Sequence, residues 1–324
     1  MTIARSPAVR RAAFVLAALS LAAVLLPLAA PRDPDAMPDT AALALLPPFA
    51  SAYRVERRGE DAVWAQRIED AGETIRLERG PRTIEVRKSD LAAPVERAVF
   101  PFGTDALGRD LLSRCLAGAR VSLLVAIASV LLSAAAGTAV GAVAGGFGGA
   151  ADLFLMRLTD VFLSIPRLFL VLLLAALFAR SLPLLVLALG LTGWMPVARQ
   201  VRAQTLALRE REFAVAAAAL GASRARVAFR HCLPNAISPV LTEIGLRFGG
   251  ALLAESSLSY LGIGVPPPRA SWGTIIADGR DALASGWWIS VVPGLCLVAT
   301  VLAVNAATEG LRRATVPGAR EAES

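Results

Sequence analysis

From Val121 to Val143 the chain carries no charged residue, and apolar blocks of this kind recur along its length. About 20 such residues in a helix cross the hydrocarbon layer, where every backbone N–H and C=O must be satisfied within the segment because no water is present. Hydrophobic residues make up 56% of the 324 positions and aromatic residues only 6%, more apolar side chain than a soluble core of this size encloses. Lipid is therefore the expected solvent, and an all-α integral membrane protein the expected fold class.

The first block, Ala12 to about Ala30, follows Arg5, Arg10 and Arg11 and fits either a first membrane helix or a secretory signal peptide. Many later spans need an orienting first helix, and the arginines place its start in the cytoplasm. From Pro31 to about Phe100 acidic and basic residues interleave, so this stretch lies in water. Within it Thr74-Ile75-Arg76-Leu77-Glu78 and Thr83-Ile84-Glu85-Val86-Arg87 alternate around Gly80-Pro81, which predicts a small extracytoplasmic β-hairpin.

The block from Val121 carries Gly137, Gly141 and Gly145 on one helical face, a pattern that predicts close approach of a second helix. A third span is expected from about Leu153 to Phe178 and a fourth from about Leu182 to Val201, with Pro166, Pro183 and Pro196 kinking or ending helices. A fifth runs from about Ile237 to Leu261 and a sixth from about Trp287 to Ala307. The reading is about six transmembrane helices with both termini cytoplasmic. Residues 1–30 form a tail and first helix, 31–117 an extracytoplasmic hydrophilic segment, 118–310 the membrane domain with a cytoplasmic loop at 203–236, and 311–324 a cytoplasmic tail.

The net charge of +7 comes almost wholly from arginine, and the arginines cluster at the ends of apolar blocks. No basic stripe interleaved with aromatics appears, so they speak for topology and against nucleic acid as a partner. Seven arginines against two glutamates between Arg199 and Arg230 place that short loop in the cytoplasm. Cys115, Cys232 and Cys296 have neither CxxC spacing nor histidine partners and read as free thiols, with no metal site. His231 is the only histidine, so no catalytic constellation is expected. No G-x-x-x-x-G-K-[ST] loop exists, and the run Gly145 to Gly149 lacks its lysine, so the chain itself binds no ATP.

In the cytoplasmic loop, Arg211-Glu212-Phe213-Ala214-Val215-Ala216-Ala217-Ala218-Ala219-Leu220-Gly221-Ala222-Ser223-Arg224 continues to Arg230-His231-Cys232-Leu233-Pro234-Asn235. The composition predicts a short helix, a break at Gly221, and a second helix capped by Ser223 and interrupted at Pro234. Small alanines allow close approach of another surface, and flanking arginines can pair with carboxylates. A solvated helical loop without a partner is the plainer reading of the same residues.

These residues resemble the cytoplasmic loop of inner-membrane permease subunits of ATP-binding-cassette importers, which carries Glu-Ala-Ala, three residues, Gly, and later Leu-Pro. Ala216-Ala217, Gly221 and Leu233-Pro234 stand at those spacings, while Val215 replaces the glutamate and Glu212 lies three residues earlier. Gly103-Thr104-Asp105, two residues, Gly108-Arg109-Asp110 is similar to a signature of the dipeptide, oligopeptide and nickel group, in its second-permease type. Ala254-Glu255-Ser256-Ser257-Leu258-Ser259-Tyr260-Leu261-Gly262, with Pro266 to Trp272-Gly273, also looks like that group. The resemblance covers about Pro101 to Ala314, and the insert at 31–100 is longer than is usual for the family.

The resemblance implies a type I importer transmembrane domain in the bacterial inner membrane. It implies a second homologous permease subunit, two cytoplasmic ATP-binding subunits that carry ATP and magnesium, and an extracytoplasmic solute-binding protein. The cargo would be a peptide or a related small solute such as a nickel complex or opine. Glu212, Phe213, Ala216, Ala217, Leu220, Gly221, Ala222, Ser223, Leu233 and Pro234 would form the loop that meets an ATPase. The chain would be a translocation subunit and not an enzyme.

Charges inside spans are costly and are often functional. Arg157 with Asp160, and Glu243 with Arg247, sit three or four residues apart and are expected to neutralise each other. Glu255 has no obvious local partner and is the candidate for the translocation path or the permease interface. An ion-coupled secondary transporter or channel is the alternative, but no internal repeat supports it and it leaves the cytoplasmic loop without a role. A membrane-anchored assembly protein acting through its outer hairpin is a third reading.

Overall fold

The computed structural model describes residues 21–177 and 180–315 together with Phe14 and Ala18; at 168, 175, 176, 237–244, 246 and 310–315 the backbone alone is described. The first expected span lies mostly outside the described residues, as does most of the C-terminal tail.

The hydrophilic segment is a larger body than the expected hairpin, and it corrects the all-α reading. Strands β1 (Ala50–Val55), β2 (Val63–Ala65) and β6 (Glu96–Phe100) form one sheet in the order β2-β1-β6, and β3 (Arg67–Ala71), β4 (Thr74–Arg79) and β5 (Arg82–Arg87) form a second. β4 and β5 pair antiparallel with Ile75 opposite Val86 and Leu77 opposite Ile84. Their two-residue connection starts at Gly80 with φ 61°, the positive φ that tight hairpin loops need. A lone hairpin is marginal in water. Here Val55 and Ala65 of the first sheet bury against Ile75, Leu77 and Val86 of the second, giving each apolar face a partner.

Helix α1 (Leu111–Phe147) is 37 residues long, about 55 Å at 1.5 Å per residue, so it reaches well beyond a bilayer core. It starts at Leu111, which puts the expected boundary at 117/118 inside a helix. The expected third span is two helices, α2 (Gly149–Ser164) and α3 (Arg167–Leu177), parted at Ile165–Pro166. Pro166 has no N–H to give, and the residue before a proline is driven to extended backbone, as Ile165 is at φ −88° and ψ 123°. α4 (Leu182–Leu191) is capped by Ser181 and gives way at Thr192–Gly193 to α5 (Trp194–Arg209). Pro183 and Pro196 sit in first turns, where a missing N–H costs nothing, so neither kinks its helix.

The glycine face of α1 meets α5 along its length. A Cβ on Gly137 would lie 2.6 Å from the carbonyl oxygen of Trp194, and one on Gly145 would lie 2.8 Å from Thr205 Cβ. α6 (Glu212–Ala219) follows, then α7 (Leu233–Tyr260), α8 (Trp272–Asp278) and α9 (Trp288–Thr315). Leu123, Ala126 and Val130 of α1, Val201 of α5, Phe248 and Leu252 of α7 and Val304 of α9 share one buried core.

Among the described residues three helical runs are long and apolar enough to cross a membrane: Leu111–Phe147, Leu182–Arg209 and Trp288–Glu309. α2 and α3 are each too short, and α7, at 28 residues, carries Glu243, Arg247 and Glu255. Length and composition therefore identify fewer spans than the six expected.

Candidate functional site

α6 ends in a local motif that explains Gly221. Gly221 N–H donates to Ala218 O at 2.9 Å and Ala222 N–H to Ala217 O at 3.1 Å, with Gly221 at φ 86°. This is the crossed pair of bonds that closes a helix through a left-handed residue, and it brings Ala217 and Ala222 into apolar contact. Ser223 then caps the next turn, accepting from Arg226 N–H at 3.3 Å.

Pro234 does not interrupt the chain as expected. The turn Arg224–Arg226 runs into a π-helical stretch, Val227–Cys232, and on into α7, with Leu233 N–H donating to Ala228 O. The wider π turn takes up the proline ring that a regular helix would clash with.

The loop helix has an inner and an outer face. Ala214 is buried with Val227 and Cys232, and Leu208, Ala217 and Ala222 pack onto them. Phe213, Val215, Ala216 and Leu220 face outward with Glu212 and Ser223, Leu220 at 89% exposure and Val215 at 56%. Leu233 and Pro234 are half-buried at the root of α7, and Arg211, Arg224, Arg226 and Arg230 are exposed around the helix. Arg199 reaches Asp160 at 2.5 Å, Arg202 reaches Asp152 at 2.7 Å, and Arg209 donates to Gly145 O at 3.0 Å. Asp160 thus pairs across to α5 and not with Arg157. The side chain of Glu243, the expected partner of Arg247, is outside the described residues.

The second constellation lies at the start of α1. Asp105 is buried and accepts from the N–H groups of Leu107 at 2.9 Å and Arg109 at 3.0 Å and from Arg109 Nε at 2.6 Å. Gly103 and Gly108 both hold φ 77°. Thr104 accepts from Leu46 N–H at 2.8 Å, and Trp288 Nε1 donates to Thr104 O at 3.1 Å. Asp110 caps α1 through Ser113 N–H at 2.9 Å and meets Arg32 at 3.3 Å. Arg109 and the buried Arg114 converge on Asp278 at 3.1 and 3.0 Å. The signature residues therefore clasp the insert, α1, α8 and α9 together. Arg32, Arg114 and Asp278 were not anticipated; an arginine four residues after Asp110 was the available signal.

Glu255 is enclosed within the chain at 0% exposure, and its neighbours correct the expectation that it lacks local partners. Ser259 Oγ donates to it at 2.7 Å and Ser256 Oγ at 3.3 Å, and the hydroxyls of Ser122 and Ser271 lie beside it. Ser259, Ser122 and Ser271 each accept a backbone N–H, from Val265, Trp272 and Thr274. A hydroxyl has a single proton, so each of the three has that proton free for Glu255. One carboxylate is thereby enclosed by hydroxyls of α7 with those of α1 and of the cap of α8 beside it. Cys115, Cys232 and Cys296 are free thiols, and among the described residues no cluster of ligand side chains can hold a metal.

Residues 137–321 match the family model described as the inner membrane component of binding-protein-dependent transport systems. The oligopeptide transport system permease protein OppC of Haemophilus influenzae is 39% identical over 226 residues, 70% of this chain and 73% of that protein. OppC of Bacillus subtilis is 38% identical over 68% of this chain and 72% of its own length. A putative peptide transport system permease protein of Brucella suis is 42% identical over 65% and 71%.

Proposed function

The chain belongs to the family of inner-membrane components of binding-protein-dependent transport systems, and from that membership we propose that it forms half of a peptide pathway whose power stroke enters through α6. It is a permease subunit of an ATP-binding-cassette importer, resident in the bacterial inner membrane, and not a catalytic subunit. Peptides are the proposed cargo, on the printed names of the relatives. The proposed assembly adds a second homologous permease, two ATP-binding subunits that hold ATP and magnesium, and an extracytoplasmic binding protein. Six spans with both termini cytoplasmic remain the proposed topology, counting α2 with α3 as one broken span and α7 as another.

One observation carries the coupling role: the outward face of α6 sets Phe213, Val215, Ala216 and Leu220 in water on a helix fixed from behind by Ala214 and Ala217. A projecting apolar patch ringed by arginines is a protein contact awaiting its partner. Val215, in place of the motif's glutamate, enlarges the apolar area. Ala217 faces inward, so an arginine there would disrupt the loop itself, whereas Ala216→Arg alters only the outer surface. Tagged chain purified from gently solubilised native membranes should bring down a second permease and ATPases. Ala216→Arg should keep the permease and lose the ATPases. Full ATPase recovery and normal uptake by that variant would refute the coupling role.

A further inference from the structure

The loop rejoins α7 through residues 223–232, and the packing of that segment fixes its level. A Cβ on Gly146, in the last turn of α1, would lie 2.5 Å from Ala228 Cβ, so Ala228 rests on the end of α1. Arg209, the last residue of α5, donates to Gly145 O in the same turn. Both helix ends belong to runs long and apolar enough to cross a membrane. On α1 the exposed Arg120 is the last charged residue before Asp152, and an exposed guanidinium keeps out of the hydrocarbon. From Arg120 to Gly146 the helix rises about 39 Å. That is more than the hydrocarbon core of about 30 Å and slightly less than the bilayer with its headgroups, about 40–45 Å. Ala228 therefore stands at the level of the headgroups.

The segment has two sides at that level. Val227 and Cys232 are buried with Ala214 of α6, and Ala228 is buried on α1, whereas Arg226, Phe229 and Arg230 are exposed, Phe229 at 43%. Residues three and four apart are neighbours on a helix surface, so the phenyl ring and the two guanidiniums share one face. Among the described residues neither guanidinium has an ion pair or a hydrogen bond. The outward face of α6, with Phe213, Val215, Ala216 and Leu220, is turned away from Val227 and Cys232 and is a separate surface.

We infer that Arg226, Phe229 and Arg230 form a docking site for an anionic phospholipid, with its phosphate on the two guanidiniums and Phe229 against the start of its acyl chains. The assignment rests on the proposed topology, in which this face is cytoplasmic, and is independent of the coupling role of α6. The planar fork of a guanidinium binds phosphate through paired N–H bonds. Basic residues next to a span are drawn to the anionic lipids of the cytoplasmic leaflet, and an exposed phenylalanine on a basic helical segment settles at the boundary of headgroups and acyl chains. Carboxylates of an ATPase would answer the two charges but give the phenyl ring no apolar cover.

The test uses the full chain, purified with whatever subunits accompany it, in equal amounts of phosphatidylglycerol and phosphatidylcholine, with retained lipid counted by native mass spectrometry. The wild type should retain phosphatidylglycerol in preference. The double variant Arg226→Gln, Arg230→Gln should lower that preference by about tenfold or more, the worth of two basic residues at an anionic surface. Arg226→Lys with Arg230→Lys, which keeps both charges, should retain most of it. A wild type indifferent to headgroup charge would overturn the assignment, as would a wild-type preference in the glutamine variant. Equal losses in the glutamine and lysine variants would mark a structural role, and loss of the wild-type preference in excess inorganic phosphate would mark a site for a free anion; either result defeats it. ATPases lost from the glutamine variant with its lipid preference intact would give the arginines to the ATPase instead. Absence of ATPases from the wild-type preparation would count against the importer reading and leave the lipid assignment standing.

Discussion

Adding one methyl group at Gly141 should loosen the membrane domain. The new Cβ would lie 2.7 Å from Val201 Cβ and 3.0 Å from Arg202 N, with the carbonyl oxygen of Ala198 nearer still. Two of the three obstacles are backbone atoms, so no rotamer change relieves them. Restoring ordinary carbon contact requires α1 and α5 to part by about 1 Å, which forfeits a quarter to a half of each nearby dispersion well. Overpacking of this kind costs about 1–3 kcal/mol, and the better helix propensity of alanine offsets about 1 kcal/mol of it. Gly141→Ala should therefore destabilise the chain by up to about 2 kcal/mol. Gly294 in α9 has nothing within 4 Å of the same methyl position, so Gly294→Ala should stabilise by up to about 1 kcal/mol. Denaturant unfolding in mixed micelles, followed by tryptophan fluorescence, reports both, since Trp194 lies on the α1–α5 contact. Equal behaviour of the two variants, or a Gly141→Ala protein more stable than wild type, would refute the account of the glycine face.

Three further outcomes follow from the sites. Gly221→Ala forces a side chain into the left-handed region at φ 86° and should cost about 1 kcal/mol locally, read as faster hydrogen exchange at Ala218 to Ala222 with no change at α1. Asp105→Asn leaves Arg109 and the buried Arg114 without a full countercharge; a loss of about 2–4 kcal/mol is expected, and thermal unfolding unchanged from wild type would contradict the clasp. Glu255→Ala strands the hydroxyls that converge on it and should cost more than Ser256→Ala, whose 3.3 Å bond is the longer; the order of melting temperatures decides, and the reverse order would sink the hydroxyl-cage description.

The cytoplasmic loop was legible in the sequence because its signals are local: a glycine at a helix end, a serine three residues before a capped N–H, and alanines on one side. The Gly137, Gly141 and Gly145 face was legible for the same reason, as a period on one helix. Glu255 was read as having no local partner because only charged neighbours were considered, although Ser259, four residues on along the same helix, donates to it. Asp160 was assigned to Arg157 by spacing, yet Arg199 on α5 reaches it once α2 folds against that helix. The hairpin at Gly80 was visible as alternation, whereas β1 pairs with β6 across 40 intervening residues, and such register is set by burial between sheets and not by neighbours in sequence.

The π turn between the loop and α7 has a mechanical side. It lets the backbone pass Pro234 without a swivel, so the anchor of α6 and the 28 residues of α7 form one stiff rod, about 42 Å from end to end. Near its far end α7 packs against α1 and α8, with Glu255 buried at the contact. On the proposed topology and coupling role, a tilt imposed at the foot of such a rod would be carried to its far end, beside the clasp around Asp278.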